Sequence, residues 1–178
     1  VVDKAYLVAN ITRAGERPAT SFVPPGAGVG YEPPPGLERN VAEARRLLAE
    51  AGYPEGRGFP VRYYLYRANS DLDRDIAVEL QSVFRRELGV TIQLAQQEYT
   101  VYLNSQSKLD YDLSRSTWVG DYNDPNTFLD MFVTNGGNNR TGWSNRRYDE
   151  FIAAAGREVD GKKRYDLFRD AERILVSE

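Results

Sequence analysis

The sequence has no cysteine and no histidine in 178 residues, and a single methionine. Without thiols there is no disulfide framework and no thiolate nucleophile. Without imidazole there is no Ser-His-Asp arrangement and no zinc site of the usual type, so any metal would rest on carboxylates alone. No apolar run approaches the ~18 residues that a membrane-crossing helix needs. The net charge is −3 with both signs mixed along the chain, which leaves no basic stripe and argues against nucleic acid and anionic membrane as partners. No leader segment, internal repeat or low-complexity tail is visible. The lack of cysteine suits an exported protein.

What is present is enough for a core. Apolar residues make up 41% of the chain, and its length fits one domain, 1–178, of ordinary size. Residues 2–14 read as a first helix, with Ala5, Leu7, Val8 and Ile11 on one side. A proline- and glycine-rich loop follows over 17–39. Six of the nine prolines fall there, with Gly26, Gly28, Gly30 and Gly36, which forbids a long helix or a central strand. Packing of Phe22, Val23 and Tyr31 would have to fix it. Its "GAGVG" has no strand before it, no helix after it and no following Lys-Ser/Thr, so it reads as turns and not as a phosphate cradle. Asn40 and Glu43 have capping-box spacing. Val41, Ala44, Leu47, Leu48 and Ala51 then repeat at helical period up to a stop at Gly52.

The middle of the chain is the most regular. Residues 59–66 alternate, with Phe59, Val61, Tyr63 and Leu65 on the expected inner face of a strand. A helix over 69–88 is capped by Ser70, turns Ile76, Leu80, Val83, Phe84 and Leu88 inward, and ends at Gly89. Strand 90–95, helix 99–108 and strand 111–118 complete a β-α-β-α-β series, the signature of parallel crossovers. The last third is helical. Asp124-Pro125 opens one helix, Ser144 another, and Asp160 a periodic final helix over 161–178. That helix stops with no glycine cap and no strand after it, so a longer parent chain is expected.

The segment "STWVGDYNDPNTFLDMF", 116–132, sits between the third strand and the helical region. In open α/β sheets ligands gather beyond the carboxyl ends of the strands, so Trp118, Tyr122 and Asn123 are candidate contacts there. Asp124 has a duty as a helix cap, whereas Asp121 has none and is the candidate ligand-binding acid. Paired with Asp124 it could in principle share acid and base roles, but no nucleophile is placed nearby, and an enzyme is not expected; a carboxylate-dependent hydrolase is the alternative from another class. Arg115 is either paired to a neighbouring acid or an anion contact.

The stretches "AEARRLLAEAGYPEGRGFPVRYYLY", "ELQSVFRRELGVTIQLAQQEYTVYLNSQSKLDYDLSRSTWVGDYNDPNTFLDMF" and "NNRTGWSNRRYDEFIAAA" resemble the extracytoplasmic solute-binding proteins of family 5. These are the oligopeptide- and dipeptide-binding components of ABC importers. The resemblance runs from about Thr20 to the end of the chain, and "W-x-x-D-Y-x-D-P" is its most specific motif. It implies a type II periplasmic-binding-protein-like lobe, α/β in class, from a two-lobed protein that closes on its ligand. It also implies that Asp121 meets the α-amino group of a peptide, and that Arg115 can meet a ligand carboxylate. Where some relatives offer a histidine to the ligand's carboxyl end, this chain has Asp73, with Arg67 and Arg74 close by in sequence. The resemblance further implies a peptide or other small solute as ligand, a membrane permease as partner, a monomer without cofactor, and a periplasmic or lipid-anchored cell-surface location. A metal chelate or an oligosaccharide is the alternative solute.

Overall fold

A computed structural model describes residues 1–177; the last residue of the expected final helix, Glu178, lies outside them. The chain packs as two compact units. One joins Val1–Pro18 to Arg39–Ser116, the other joins Ala19–Glu38 to the described residues from Thr117 onward.

The first unit is built on a parallel three-stranded sheet. β1 (Arg62–Arg67) lies between β2 (Ile92–Gln97) and β3 (Leu113–Ser114). β1 is rich in tyrosine, which favours a pleated, half-buried surface, and it pairs with β2 from Arg62 opposite Ile92 to Arg67 opposite Gln97. Helix α3 (Asp71–Leu88) links the two. Ser70 caps it by accepting the Asp73 N–H at 3.1 Å. Gly89 ends it in the left-handed region (φ 68), where a Cβ would fall 2.2 Å from the Glu55 carbonyl oxygen. Tyr64 and Tyr66 pack with Ala77, Val90 and Ile92 and with Leu80, Phe84 and Leu88 into this unit's core.

The alternation expected in β1 exists, but its principal core face is the other one. Val61 and Tyr63 are 43% and 50% exposed, while Leu65 is buried on the face opposite Tyr64 and Tyr66. The strand carries apolar side chains on both faces, as parallel strands covered on both sides do, so periodicity did not say which face leads. Helix α4 (Tyr99–Ser107) packs against β1.

The third strand is shorter than the expected 111–118. At its start the Asp112 carboxylate accepts the Tyr63 N–H at 2.8 Å and holds Arg62 at 3.0 Å, replacing ladder bonds. At its end Arg115 still donates its N–H to Leu65 (2.8 Å), but its carbonyl accepts the Tyr102 hydroxyl and the Gln106 amide. The first helix is also less regular than expected. After α1 (Lys4–Tyr6) the turns widen over Leu7–Thr12 and close with the Arg13 N–H on the Val8 carbonyl. Helix α2 (Val41–Glu50) starts at Asn40, which accepts the Glu43 N–H at 2.9 Å; the Glu43 carboxylate pairs with Arg46.

The second unit has no strand among the described residues. Its core joins the loop residues Val23, Ala27 and Tyr31 to Leu129 at the end of α5 (Asn126–Leu129), to Tyr148, Ile152 and Ala155 of α6 (Arg146–Ala155), and to Phe168 and Ala171 of α7 (Gly161–Ser177). Asn145, not Ser144, caps α6, accepting the Tyr148 N–H at 3.0 Å. Asp160 accepts the Lys163 N–H at 3.0 Å at the start of α7.

The loop is tied to α7 by one buried acid. Glu172, with no exposed surface, accepts the N–H groups of Phe22 (2.9 Å) and Val23 (2.8 Å) and the Tyr31 hydroxyl (2.7 Å). Burial raises its pKa above the usual carboxylate range against the pull of these three donors. In "GAGVG" the glycine that matters is Gly28: at φ 85, its N–H donates to Asn123 Oδ1 at 2.9 Å. A Cβ there would lie 2.8 Å from both Pro125 and Tyr165.

Candidate functional site

In the second unit, the loop 117–125 is pinned from below by Thr127, which is 2% exposed. The Trp118 indole N–H donates to the Thr127 carbonyl at 2.8 Å, and the Asp121 N–H donates to the Thr127 hydroxyl at 3.0 Å. Gly120 lets the loop lie flat, because a Cβ there would meet the Phe128 ring at 2.8 Å. Asp124 lies one residue before the cap position of α5, which Pro125 occupies, and its Oδ1 accepts the N–H of the first helical residue, Asn126, at 2.9 Å. It also takes a two-pronged bond from Arg164, at 2.6 and 2.8 Å. Burial pushes the Asp124 pKa up, but the Arg164 fork and the Asn126 N–H outweigh it and leave it lowered.

With its neighbours committed, Asp121 stands apart. Its residue is exposed, and its carboxylate makes no hydrogen bond or ion pair among the described residues. Its charge is felt at Asp130, whose pKa is raised by burial and then by Asp121. Tyr122 is half exposed; its hydroxyl accepts from the Asn126 amide at 2.9 Å, and the same amide reaches Asp130 at 3.3 Å. Asn123 uses its side-chain oxygen on Gly28. The loop therefore presents an uncompensated carboxylate on a backbone held by Thr127, one residue before the half-exposed Tyr122. A cation that sheds water to approach it gains a charge-assisted hydrogen bond.

In the first unit the structure brings Arg115 and Asp73 into contact. Asp73 sits in the first turn of α3 and is 3% exposed. Arg67, the last residue of β1, donates to its Oδ2 at 2.7 Å, and Arg115 Nε lies 3.3 Å from its Oδ1. Arg74 faces Asp71 and Asp75 instead. Sequence reading had Arg67 only as a neighbour in the chain and did not see Thr127 or Glu172. The signal for Arg67 was its place at the carboxyl end of a parallel strand; for Thr127 and Glu172 there was none, since a polar residue on an otherwise apolar helix face reads as surface.

The family model of bacterial extracellular solute-binding proteins, family 5, matches residues 1–140. The chain belongs to this family. It is 33% identical to the dipeptide-binding protein DppE of Bacillus subtilis, over 99% of this chain and 34% of that protein. It is 32% identical to the probable deoxycholate-binding periplasmic protein YgiS of Escherichia coli, over 89% of this chain and 30% of that protein. Among solved structures, a periplasmic oligopeptide-binding protein of Borrelia burgdorferi superposes with a TM-score of 0.91 at 33% identity, over 99% of this chain and 35% of its own. The family 5 chain thus has the expected α/β, type II periplasmic-binding-protein-like fold, and it spans about a third of the length of the curated relatives it matches.

Proposed function

We propose that this chain, 1–178, is one lobe of an extracytoplasmic substrate-binding protein that delivers peptides to the permease of an ABC importer, and that Asp121 receives the peptide's α-amino group. The observation that carries this is the unpartnered carboxylate of Asp121 on a loop whose backbone is fixed by Thr127. An ammonium drawn out of water needs a fixed counter-charge, and every other acid of this loop already has a partner. Trp118, Tyr122 and Asn123, on the same loop, are the further ligand contacts of this reading. Arg115 and Asp73 are paired with each other at the carboxyl end of the sheet in the first unit, and on this reading that end of the sheet is a further contact region for ligand. Backbone gripping as an added strand would make side-chain selectivity low. Relatives named as peptide-binding proteins, one of them periplasmic, support this reading; a monomer without catalysis, in the periplasm or lipid-anchored at the cell surface, completes the proposal.

Calorimetry on the complete protein with tri- to pentapeptides tests it. Asp121→Ala should cost about 2–5 kcal/mol of binding, the usual loss when one partner of a desolvated charge pair is removed. Unchanged affinity would refute the amino-group role. The isolated chain should bind such peptides weakly or not at all, and a tight complex on it would contradict the two-lobed closure. A second reading, a non-peptide solute on the same fold, is favoured by the relative named as a probable deoxycholate-binding protein. A solute without an ammonium would bind equally well to wild type and to Asp121→Ala.

A further inference from the structure

The two arginines at the carboxyl end of this sheet meet a buried acid that belongs to the chain itself. Arg67 closes β1, and Arg115 follows β3 with its N–H on the Leu65 carbonyl, so neighbouring parallel strands deliver both side chains to one edge. Asp73 comes from the first turn of α3, where a negative charge is favoured by the helix N-terminus. Its side chain is only 4% exposed, against 49% for Arg67 and 27% for Arg115. One carboxylate oxygen takes the Arg67 Nε–H, and the other lies beside Arg115 Nε, which is buried and has no hydrogen-bond partner of its own. Arg115 Nη1 turns to the Ser116 carbonyl. The Arg115 backbone is fixed as well, since its carbonyl accepts from Tyr102 and Gln106. Only if both guanidinium groups swung away would Asp73 be left buried and unpaired, an arrangement that is strongly disfavoured, so at least one arginine stays committed to it.

We propose that Asp73 is a built-in counter-ion that occupies this arginine pair, and that it makes the protein indifferent to a free ligand carboxylate at this sheet edge. The inference rests on the peptide-binding reading for its ligand class and on the first unit alone for its geometry. An incoming carboxylate would stand next to the Asp73 carboxylate and compete with it for the same two cations. An uncharged stretch of peptide meets no such competitor. The chain therefore suits peptides whose C-terminal carboxylate lies elsewhere or is blocked, and Asp73 acts through the arginines as a specificity-setting positioning residue.

The test compares a free-acid peptide with its C-terminal amide on the complete protein. Wild type should bind both within about threefold, whereas Asp73→Asn should favour the free acid by about tenfold, ~1.4 kcal/mol. A wild-type preference of about tenfold for the free acid overturns the proposal, as does an Asp73→Asn protein that still fails to discriminate. Since replacing a buried acid can unfold a protein, the wild-type comparison stands by itself. A second measurement needs no peptide. In nitrogen NMR on the complete protein, acetate should leave the Arg115 Nε–H signal of wild type unmoved and shift it in Asp73→Asn; a saturable shift in wild type overturns the proposal. If neither peptide form binds, the peptide reading falls, and the acetate titration still decides the role of Asp73.

Discussion

In the unit built on residues 39–116 a parallel backbone ladder and ordinary helix caps hold the chain, and its principal apolar core lies between β1, β2 and α3. The unit of 19–38 with 117–177 has no ladder among the described residues. There a proline-rich loop is held to α7 and to the loop 117–125 by side chains that bond to backbone: Glu172 to Phe22 and Val23, and Asn123 to Gly28. The contrast shows two ways of satisfying buried backbone groups. Strands satisfy them in series, so losing one bond leaves its neighbours in place. An irregular loop satisfies them one at a time, so a single acid can carry a whole segment.

If that contrast holds, the largest effect comes from Glu172→Ala. It strands two buried N–H groups and a hydroxyl, and should cost about 3–5 kcal/mol, as breaking a buried charged network does. Urea unfolding followed by Trp143 fluorescence measures it, since that indole packs edge-on against Tyr148 in the same core. Hydrogen exchange should show the loss of protection beginning in 19–38. A cost below about 1 kcal/mol would mean that the loop is held by its apolar contacts instead.

Arg164→Ala comes next, at about 1.5–3 kcal/mol for hydrogen bonds to a charged partner. The two acids of this unit also titrate with opposite sign. The folded state lowers the Asp124 pKa, so that group's contribution is present above the ordinary carboxylate range and is lost as pH falls through the lowered value. The folded state raises the Glu172 pKa, so it binds the proton more tightly than the unfolded chain, and stability declines as pH rises from 4.5 through the raised value. Unfolding curves across acid pH should show both slopes, and Glu172→Gln should remove the second only. The smallest effect belongs to the first unit: Asn40→Ala, the loss of one helix cap, should cost about 1 kcal/mol.

What could be read from the sequence follows the same division. The order of strands and helices in the first unit was legible because 2- and 3.6-residue periods and the stops at Gly52 and Gly89 are local signals. The core face of β1 was not, because Tyr64 and Tyr66 are as apolar in body as the residues opposite them. Asp121 could be singled out because its neighbour Asp124 had a visible duty as a cap. Of the two partners of Asp73, Arg67 lies only six residues away at the end of β1, but Arg115 was not legible, since it reaches Asp73 through strand order, and strand order is a tertiary fact. Glu172 was hidden for a related reason: nothing in "RDAERIL" says that this acid faces a loop some 150 residues earlier.

The most direct test is to compare a peptide carrying a free α-amino group with its N-acetylated form, by calorimetry, on the complete wild-type protein and on its Asp121→Asn variant. The free amine should bind wild type at least about thirtyfold more tightly, ~2 kcal/mol, and that advantage should vanish in the variant. An advantage of the same size in both proteins would place the ammonium on some other group and contradict the role assigned to Asp121.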